Sequence, residues 1–380
     1  MGVSRMAVQR RESVTTADVA RAAMVSKATA ARVLSGRGSA SEEARERVLR
    51  AAETLGYVPN ELAKAMSIGV TNTIGVVIPD IANPFFASVV RGISDRLRSK
   101  GIEIIISNTD NDPQVEARAL RLLAAKRVDG LVLAPVIPGP SKVAADLSDK
   151  GLPMVLLDRR TEGLEAIPLV SLDHAATARL ATRHLLTLGH ERIAILTEVP
   201  ELALHQPNPS GGIHRPAALR LWGHVSALRD AGIDLDPGLV LGADYDQQSA
   251  AQAVRSGLPR TGATALFCTD SVLTSGAYRG IAALGIRLPD QLSFIGFDDQ
   301  DWTTMVTPAV TVMAQPPKKL GDAAADVLLR RVEEPEVPVE DTIFQGELLV
   351  RGSTRPLGAK SPRAGVRGSS QPTELVEESS

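Results

Sequence analysis

Clusters of carboxylate, amide and guanidinium side chains follow several apolar runs of this 380-residue sequence. Carboxylates accept hydrogen bonds from hydroxyl groups and guanidinium groups donate a fork of them, so such clusters suit the binding of a polar small molecule. Adjacent carboxylates on an extended segment point in different directions, so we expect one of Asp298 and Asp299 to bind a ligand and the other to be structural. The clusters are Asp80, Asn108-Thr-Asp110, Asp158-Arg-Arg160, Thr269-Asp270 and Asp298-Asp299.

The motifs that carry common catalytic mechanisms are absent from the sequence. It has no Gly-x-x-x-x-Gly-Lys-Ser/Thr phosphate loop, no His-Glu-x-x-His, no Gly-x-Gly-x-x-Gly after a strand and no Gly-x-Ser-x-Gly elbow. The single cysteine, Cys268, can form neither an internal disulfide nor a cysteine-based metal cluster. His205 and His214 have no third metal ligand suggested nearby. We therefore predict a protein that is not an enzyme and that has no metal and no cofactor.

An alternation of strand-like and helical segments must position the polar clusters. Such alternation from residue 74 onward predicts parallel sheets flanked by helices, and its length suggests two lobes. Ligands of these folds bind in the crevice at the carboxyl ends of the strands. The predicted strands are 74–78, 103–107, 130–134, 154–158, 193–197, 265–268, 293–297 and 346–350, and the helical stretches include 85–100, 113–125, 175–188 and 272–284.

The N-terminal segment has the caps and apolar spacing of three short helices. Thr15 can cap the first helix, with Asp18 three residues on to complete a capping box. Ser26 can cap the second, and a third begins near Ser41 and stops at Gly56. Two short helices joined by a tight turn, with a third packed across them, form a helix-turn-helix unit.

The second helix of such a unit enters the major groove of DNA with its N-terminal residues nearest to the bases. We predict base contacts for Lys27, Ala28 and Arg32. Ser26 and Thr29 are predicted to bind phosphate through hydroxyl and backbone N–H groups. The alternative is a small helical bundle that binds no nucleic acid.

The charge distribution distinguishes this segment from the rest of the chain. Residues 1–67 carry a net charge of +4 in a chain whose total is −2, so the remainder carries −6. A basic head on an acidic body fits a polyanionic partner for the head alone. No apolar run reaches the roughly 18–20 residues that span a bilayer, and no secretory signal is recognisable at the N-terminus. We expect a cytoplasmic protein with no membrane partner.

The segment from Asp18 to Gly36, DVARAAMVSKATAARVLSG, resembles the DNA-binding head of the LacI/GalR family of bacterial transcription regulators. Further motifs strengthen a resemblance that runs from about Val14 to Thr354. The family usually has glycine where this chain has Met24, and often a Val-Ser pair where it has Ala30-Ala31. If position 24 needs a positive φ, methionine costs about 1 kcal/mol or more there. The further motifs are Gly56-Tyr-Val-Pro-Asn60, Thr71-Asn-Thr-Ile-Gly75 and Pro79-Asp-Ile-Ala-Asn-Pro-Phe-Phe86.

The resemblance implies that residues 60–67 form a hinge helix. A helix this short is unstable alone in water, so we expect it to order when two copies pair over DNA. Met66 lies where the family has a leucine that wedges into the minor groove at the operator centre. Lys64 would lie near phosphate or the groove floor, and a passive linker is the alternative. The predicted DNA-binding set is completed by Thr15, Asn60 and Ala63.

The resemblance also implies a body like the periplasmic sugar-binding proteins, with two lobes that close on a small effector. Arg220 and Asp298 are the main implied effector ligands, and Tyr245 would stack on a sugar or base ring. Thr269 stands where many members have asparagine, which shortens its polar reach. The segment 198–216 is longer than the family norm and is either a lid or a tolerated surface insertion. The implied set is completed by Phe86, Asp110 and Asp173.

These observations predict an α/β protein with a helix-turn-helix head, a hinge helix and a two-lobed periplasmic-binding-protein-like body with parallel sheets. We predict a homodimeric repressor that binds near-palindromic operator DNA under the control of a small molecule, for which a carbohydrate is the favoured class. Inducer and co-repressor are both compatible with the sequence. The predicted boundaries are 1–13 disordered, 14–59 head, 60–70 hinge and linker, 71–356 body and 357–380 disordered. Lobe 1 is predicted at 71–184 and 315–340, and lobe 2 at 185–314 and 341–356.

Overall fold

The computed structural model describes residues 14–35, 39–57, 70–137, 139–201 and 215–358. The chain divides into two compact units, residues 1–73 with 127–129, and residues 74–126 with 130–380. The predictions for residues 1–13, for the hinge helix at 60–67 and for 359–380 lie outside the described residues.

Three helices form the N-terminal part: α1 (Thr16–Ala22), α2 (Lys27–Ser35) and α3 (Glu42–Leu55). The predicted capping box is present, since Thr15 and Asp18 exchange side-chain and backbone hydrogen bonds at the start of α1. Ser41 caps α3, and Gly56 ends it with φ 62°. A core of Val19, Ala20, Ala23, Ala30 and Val48 joins the three helices.

Met24 occupies the turn between α1 and α2 with φ 53°, the left-handed region that favours glycine. Its side chain is 86% exposed, so it gains little packing in return. Met24→Gly is therefore expected to stabilise the helix-turn-helix unit by up to about 1 kcal/mol. Amide hydrogen exchange of α1–α3 in the full chain measures this. Met24→Ala retains a Cβ and is the control, and an equal gain with alanine would contradict the explanation.

The second unit alternates strands and helices along most of its length. Its strands are β1 (Thr73–Ile78), β2 (Glu103–Asn108), β3 (Gly130–Leu133), β4 (Met154–Leu157), β5 (Leu169–Leu172), β6 (Ile193–Thr197), β7 (Val240–Gly242), β8 (Ala265–Cys268), β9 (Ser293–Phe297), β10 (Thr311–Ala314), β11 (Thr342–Phe344) and β12 (Glu347–Leu349). Its helices are α4 (Pro84–Arg98), α5 (Pro113–Ala125), α6 (Lys142–Asp149), α7 (His174–Thr187), α8 (Pro216–Asp230), α9 (Gln247–Thr261), α10 (Ser271–Ala283), α11 (Trp302–Met305) and α12 (Pro317–Glu333).

The strands form two sheets, one for each lobe. The first has the order β11-β5-β4-β3-β1-β2 and the second the order β12-β10-β9-β8-β6-β7. Neighbours such as β1–β3 and β8–β9 pair in parallel, and β12 pairs antiparallel with β10. Parallel strands with helical crossovers bury both sheet faces, which explains why most of these strands are runs of buried apolar residues. The predicted α/β class with parallel sheets is confirmed.

Each sheet has its own apolar core. In the first lobe, α4 and α12 cover a face of the sheet, and residues such as Ile93 and Leu328 are buried there. In the second lobe, α9 and α10 cover one face of the sheet and α7 and α8 cover the other. The cores place the carboxyl ends of the strands of both lobes around one crevice.

Two of the predicted lobe boundaries are wrong. Helix α7 was placed in lobe 1 up to residue 184, but its residues Ala178 and Leu185 pack into the second-lobe core. Strand β11 was placed in lobe 2, but it pairs with β5 in the first sheet. The cause is that β5 was not recognised as a strand, so the crossing between lobes was placed one helix too late.

The C-terminal boundary also differs from the prediction. Leu357, which was assigned to the disordered tail, donates a backbone hydrogen bond to the carbonyl of Leu188. His190 contacts the same region, since its Nε2–H group donates to the carbonyl oxygen of Arg355 at 3.0 Å. None of the helices in the described ranges has the length and apolar character needed to cross a membrane.

Candidate functional site

A cavity of about 290 Å³ lies where strand ends of the two lobes face each other. Phe86, Arg220, Tyr245 and Asp298, four of the seven predicted effector ligands, line it. The other lining residues among those described are Pro79, Asp80, Asn83, Phe85, Asn111, Ile137, Asp158, Arg159, Glu198, Arg215, Pro216, Ala217, Asp244, Asp270 and Gln315.

The structure places the other three predicted ligands outside the lining. Asp110 accepts a hydrogen bond from Asn108 at 2.5 Å. Asp173 caps α7 by accepting from the N–H of Ala176 at 2.9 Å. Thr269 is fully buried and its hydroxyl donates to the carbonyl of Leu196 at 3.2 Å. Each of these polar groups is engaged in local structure.

Arg220 is fixed from several sides. Its NH1 group donates to the carbonyl oxygen of Thr269 at 2.6 Å and its Nε to Nδ1 of His174 at 3.3 Å. The guanidinium carbon lies 3.8 Å from the ring centroid of Phe297, within the range of a cation–π contact. The residue is only 4% exposed. Thr269 therefore positions Arg220 through its backbone.

Helix packing brings Arg220 and His174 together. At Gly223, one turn after Arg220, a Cβ would clash with the carbonyl oxygen of Ala175. The missing side chain lets α8 approach the first turn of α7, where His174 begins the helix. Glycine is required here by close approach, since its φ is not in the left-handed region.

His174 links Arg220 to Asp158, and so links the two lobes. Its Nε2 lies 3.4 Å from Oδ1 of Asp158, which follows β4 of the first sheet. Because Arg220 donates to Nδ1, the neutral ring carries its proton on Nε2 and donates it to Asp158. Burial and then the charge of Arg220 lower the pKa of His174, which keeps the ring neutral.

Asp158 stays ionised as a carboxylate at the end of this buried series of side-chain contacts. Burial alone would raise its pKa, but the hydrogen bond from His174 and the charge of Arg159 outweigh burial and hold the pKa well below its usual range. Asp158 has φ 66°, a left-handed backbone that strains an ordinary side chain. Asp298 has the same φ of 66° at the corresponding strand end of the other sheet. Backbone strain of this kind, here at two carboxylates that line the cavity, is typical of functional sites.

The pKa values of Asp270 and Asp298 are shifted upward, in the opposite direction from that of Asp158. Burial and the neighbouring charge of Asp298 raise the pKa of Asp270 to about 7, against the lowering effect of Arg220. Burial also raises the pKa of Asp298, whose Oδ1 accepts from Nε2 of Gln315 at 2.6 Å. The cavity therefore combines a fixed cation with carboxylates that can accept hydroxyl hydrogen bonds.

The pH dependence of stability gives a test of this environment. A carboxyl with a folded pKa of about 7 and an ordinary value of 3.8 destabilises the native state as pH rises from about 4 to 7. Asp270→Asn preserves the cap on α10, so its stability relative to the parent should increase over that window and be flat above it. Urea unfolding at several pH values measures the difference. Asp246→Asn, at the exposed cap of α9, is the control, and a parallel pH profile for both variants would refute the assignment.

Tyr245 and Asn83 connect the lobes at another part of the lining. The Asn83 side-chain amide donates to the Tyr245 hydroxyl at 2.7 Å. Burial, followed by the charge of Asp270, raises the pKa of Tyr245, so the phenol stays protonated. The same Asn83 caps α4 by accepting from the N–H of Phe85. Tyr245 thus contacts the first lobe from the second.

Several lining residues were missed as ligands. Asp80, Asp158, Arg159 and Asp270 were recognised only as polar groups after strand ends, although that position was itself the usable signal. Asn83 and Gln315 have no such signal, because tertiary packing alone brings them to the cavity. Glu198 and Arg215 border residues 202–214, which include His205 and His214 and lie outside the described residues.

The structure separates the two adjacent carboxylates, and ligand binding by Asp298 stays a prediction. Asp298 lines the cavity, while Asp299 accepts from NH2 of Arg351 at 2.6 Å in a separate ion pair. They therefore do not act as an acid–base pair on one substrate. In the part of the chain that the structure describes, no group of three metal-binding side chains comes together.

The second candidate surface is the outer face of α2. Lys27, Ala28 and Arg32 are exposed there, opposite the buried Ala30. The Nε group of Arg32 donates to the carbonyl of Ala28 at 3.3 Å, which aligns the side chain along the helix. These three residues form one exposed surface that runs along the helix from its first turn to its last.

The hydroxyls predicted to bind phosphate have partners within the head. Ser26 Oγ accepts from the N–H of Thr29 at 3.1 Å, and the two hydroxyls lie 2.9 Å apart. The Thr15 hydroxyl donates to Asp18 at 2.7 Å. These groups cap the helices in the free chain, and their contacts to DNA stay predictions. Asn60, Ala63, Lys64 and Met66 lie outside the described residues.

Comparison with known proteins matches both parts of the chain. Residues 15–60 match the family described as bacterial regulatory proteins, lacI family, and residues 71–348 match periplasmic binding proteins and sugar binding domain of LacI family. The HTH-type transcriptional repressor CytR of Escherichia coli (strain K12) is 32% identical over 357 residues, covering 92% of this chain and 99% of CytR.

Solved structures give the same result. The lac repressor dimer bound to operator and the anti-inducer ONPF is 25% identical with a TM-score of 0.76, covering 90% of this chain and 100% of that one. A LacI family transcriptional regulator from Enterococcus faecium with bound ribose is 31% identical with a TM-score of 0.65, covering 75% of this chain and 99% of that one.

Proposed function

As this chain belongs to the LacI family of bacterial regulatory proteins, we propose that a sugar or sugar derivative bound in the cavity between its lobes controls its affinity for operator DNA. The protein is a DNA-binding transcription repressor regulated by a small-molecule effector. The sugar class, the cavity as its site, a homodimer and a cytoplasmic location are parts of the proposal.

The observation that carries the proposal is a buried polar set drawn from both lobes. Asp158 comes from the first sheet, and Arg220, Asp270 and Asp298 come from the second lobe. A hydroxyl group can donate to a carboxylate and accept from a guanidinium at once, so a polyol can pair with several of these groups. Related proteins support the class, since one neighbouring structure holds ribose.

A ligand that touches both lobes can act as a switch. Asp158, His174 and Arg220 already form a continuous chain of contacts across the crevice, and Asn83 and Tyr245 form another. An effector that contacts these groups favours the lobe arrangement in which all of them are within reach. It shifts the DNA-binding equilibrium only by its differential affinity for the two arrangements.

The head supplies the DNA contact. With α2 in the major groove, two heads of a homodimer would read the two halves of a near-palindromic operator. The proposed contacts to bases are Lys27, Ala28 and Arg32, all exposed on α2. Met66 and its neighbours in the hinge would occupy the minor groove between the half-sites, as the family resemblance implies.

Asp298→Asn tests the proposed site. A thermal-shift screen of pentoses, hexoses and nucleosides first finds a ligand that stabilises the full chain and changes operator binding. We expect Asp298→Asn to weaken that ligand about 10- to 100-fold, because a charge-assisted acceptor is lost, while operator affinity without ligand is unchanged. Titration calorimetry and fluorescence anisotropy on operator DNA measure the two effects.

Asp299→Asn is the matched control, since Asp299 is adjacent in sequence but pairs with Arg351 outside the cavity. Its ligand affinity should match that of the parent chain. A normal response in Asp298→Asn would remove the cavity from the proposal. Equal losses in both variants would point to a general structural effect.

A further inference from the structure

The cavity has an acidic lining. Among the described residues that line it are six carboxylates and three guanidinium groups, and neither lysine nor histidine. Even with Asp270 protonated in part, since its pKa is raised to about 7, a formally anionic ligand would enter a site in which carboxylates outnumber guanidinium groups.

The three guanidinium groups are already engaged by the protein. Arg159 lies 3.2 Å from Oδ2 of Asp158, and Arg215 lies 3.7 Å from Oε1 of Glu198. Arg220 is held by a backbone carbonyl, a histidine and an aromatic face, with Asp270 at 3.8 Å. A phosphate or carboxylate group could still reach unused N–H donors of these arginines, but each positive charge is already opposed by a protein carboxylate.

The helix N-termini at the cavity are partly occupied by side-chain caps. The N–H group of Phe85 at the start of α4 donates to Asn83 at 2.9 Å, and the N–H group of Val272 at the start of α10 donates to Asp270 at 2.7 Å. Helix α8 begins with Pro216, which has no N–H group. An anion would compete with side-chain caps for these sites.

The remaining lining carboxylates are those that form no ion pair with the three arginines. In the described part of the chain, no cationic side chain lies within ion-pair distance of Asp80, Asp244 or Asp298. Asp298 is 9% exposed and is therefore surrounded mainly by protein atoms, whereas Asp244 is exposed to solvent at the edge of the cavity. These acceptors can bind hydroxyl or ammonium hydrogens but not anionic oxygens.

We propose that the cavity selects its effector by charge, binding an uncharged or ammonium-bearing polyol and rejecting the phosphorylated or carboxylated form of the same molecule. This rests on the proposed function, in that the cavity is taken as the effector site. The volume of about 290 Å³ is at the small end of ligand pockets, which fits one sugar ring with a small substituent.

The test uses the full chain and matched sets of probes. Ribose is compared with ribose 5-phosphate, and glucose with glucosamine, glucuronate and glucose 6-phosphate, which all keep the sugar ring, and the same sets are built on any other pentose or hexose that binds. For each sugar that binds, we expect titration calorimetry to show at least tenfold weaker binding of the phosphate and of the acid. The amino derivative should bind at least as well as the parent wherever the exchanged hydroxyl faces a carboxylate.

Salt and a charge variant separate electrostatic rejection from simple steric exclusion. The ratio between the affinity of the neutral sugar and that of its anionic form should fall as ionic strength rises, because salt screens the electric field of the exposed charges. Asp244→Asn should reduce it roughly threefold, the size of one unit charge several ångströms away in a water-rich environment. Asp246→Asn, an exposed carboxylate two residues on that caps α9 and does not line the cavity, should reduce it less.

Each outcome decides something. An anionic sugar that binds as tightly as its neutral parent overturns the charge selection and leaves the proposed function intact. Discrimination that is independent of salt and of Asp244→Asn also overturns it, since sterics would then suffice. A panel in which no sugar of any charge binds rejects the sugar class of the proposed function, and this inference with it.

Discussion

Arg220→Met is expected to lower the free energy of unfolding by about 3–5 kcal/mol and to weaken effector binding about 10- to 100-fold. Arg220 is 4% exposed and lies among Asp158, Asp270 and Asp298, whose charges it opposes. Methionine fills much of the same volume but leaves those carboxylates without their buried cation. Urea unfolding and calorimetry with the identified sugar measure the two losses.

The stability loss should depend on pH with a known sign. Without Arg220 the pKa values of Asp270 and Asp298 rise further, because the group that lowers them is gone. A raised folded pKa costs stability as pH rises, so the deficit of the variant should be larger at pH 8 than at pH 5. A deficit that does not change with pH would indicate lost packing alone.

Arg215→Met is the matched control. Arg215 lines the same cavity, but its side chain is 31% exposed and its Glu198 partner lies 3.7 Å away. A partly exposed pair with this long a separation contributes little to stability, so the loss should be about 1 kcal/mol or less. If the two variants lost equal stability, the buried contacts of Arg220 would contribute no more to the free energy of unfolding than those of Arg215.

Local signals in the sequence were sufficient for much of the fold. The caps of the head depend on residues three apart, and the structure has the Thr15 capping box and the Gly56 stop. Strands β8 and β9 have the predicted bounds because each is a short buried run followed by polar residues, and helix α5 has them because Asp112 and Pro113 mark its start. Near-neighbour chemistry alone specifies these elements.

The missed elements are those that tertiary pairing defines. Strands β5, β10 and β11 have three or four residues each, too short to show a period, and β11 is a strand only because β5 lies beside it. The omission of β5 shifted the predicted lobe boundary by a helix. Segments that cross between two lobes are short, and their sequence does not reveal which sheet they join.

The residues of the candidate site also divide into those that the sequence could predict and those that only the structure reveals. Asp298, Arg220 and Tyr245 were reached by family resemblance, and the structure brings them to one cavity with Phe86. His174 was not predicted, since a histidine at a helix start has many uses, and only its position between Arg220 and Asp158 makes it a positioning residue. A contact between residues far apart in the chain has no local sequence signature.

The last prediction concerns DNA. Arg32→Ala is expected to weaken binding to the specific operator by about 1–3 kcal/mol, roughly 10- to 100-fold, with a much smaller effect on random duplex. Arg32 is exposed on the same face of α2 as Lys27 and Ala28, while Ala30 anchors the opposite face in the core. An arginine in this position can donate a bidentate pair of hydrogen bonds to a guanine edge.

The measurement begins with selection of the operator from a random-sequence duplex library by the full chain, followed by anisotropy titrations at one fixed salt concentration. Arg21→Ala is the matched control, because Arg21 is an equally exposed head arginine, paired with Asp18 at 3.1 Å on α1. It removes the same charge, so it isolates the general electrostatic term, which acts on all sequences alike.

Equal losses for Arg32→Ala on operator and on random duplex would assign the side chain to phosphate. A loss confined to the operator, together with relaxed preference at one base pair of each half-site, would establish that α2 reads the sequence, because only contacts to base edges discriminate between base pairs.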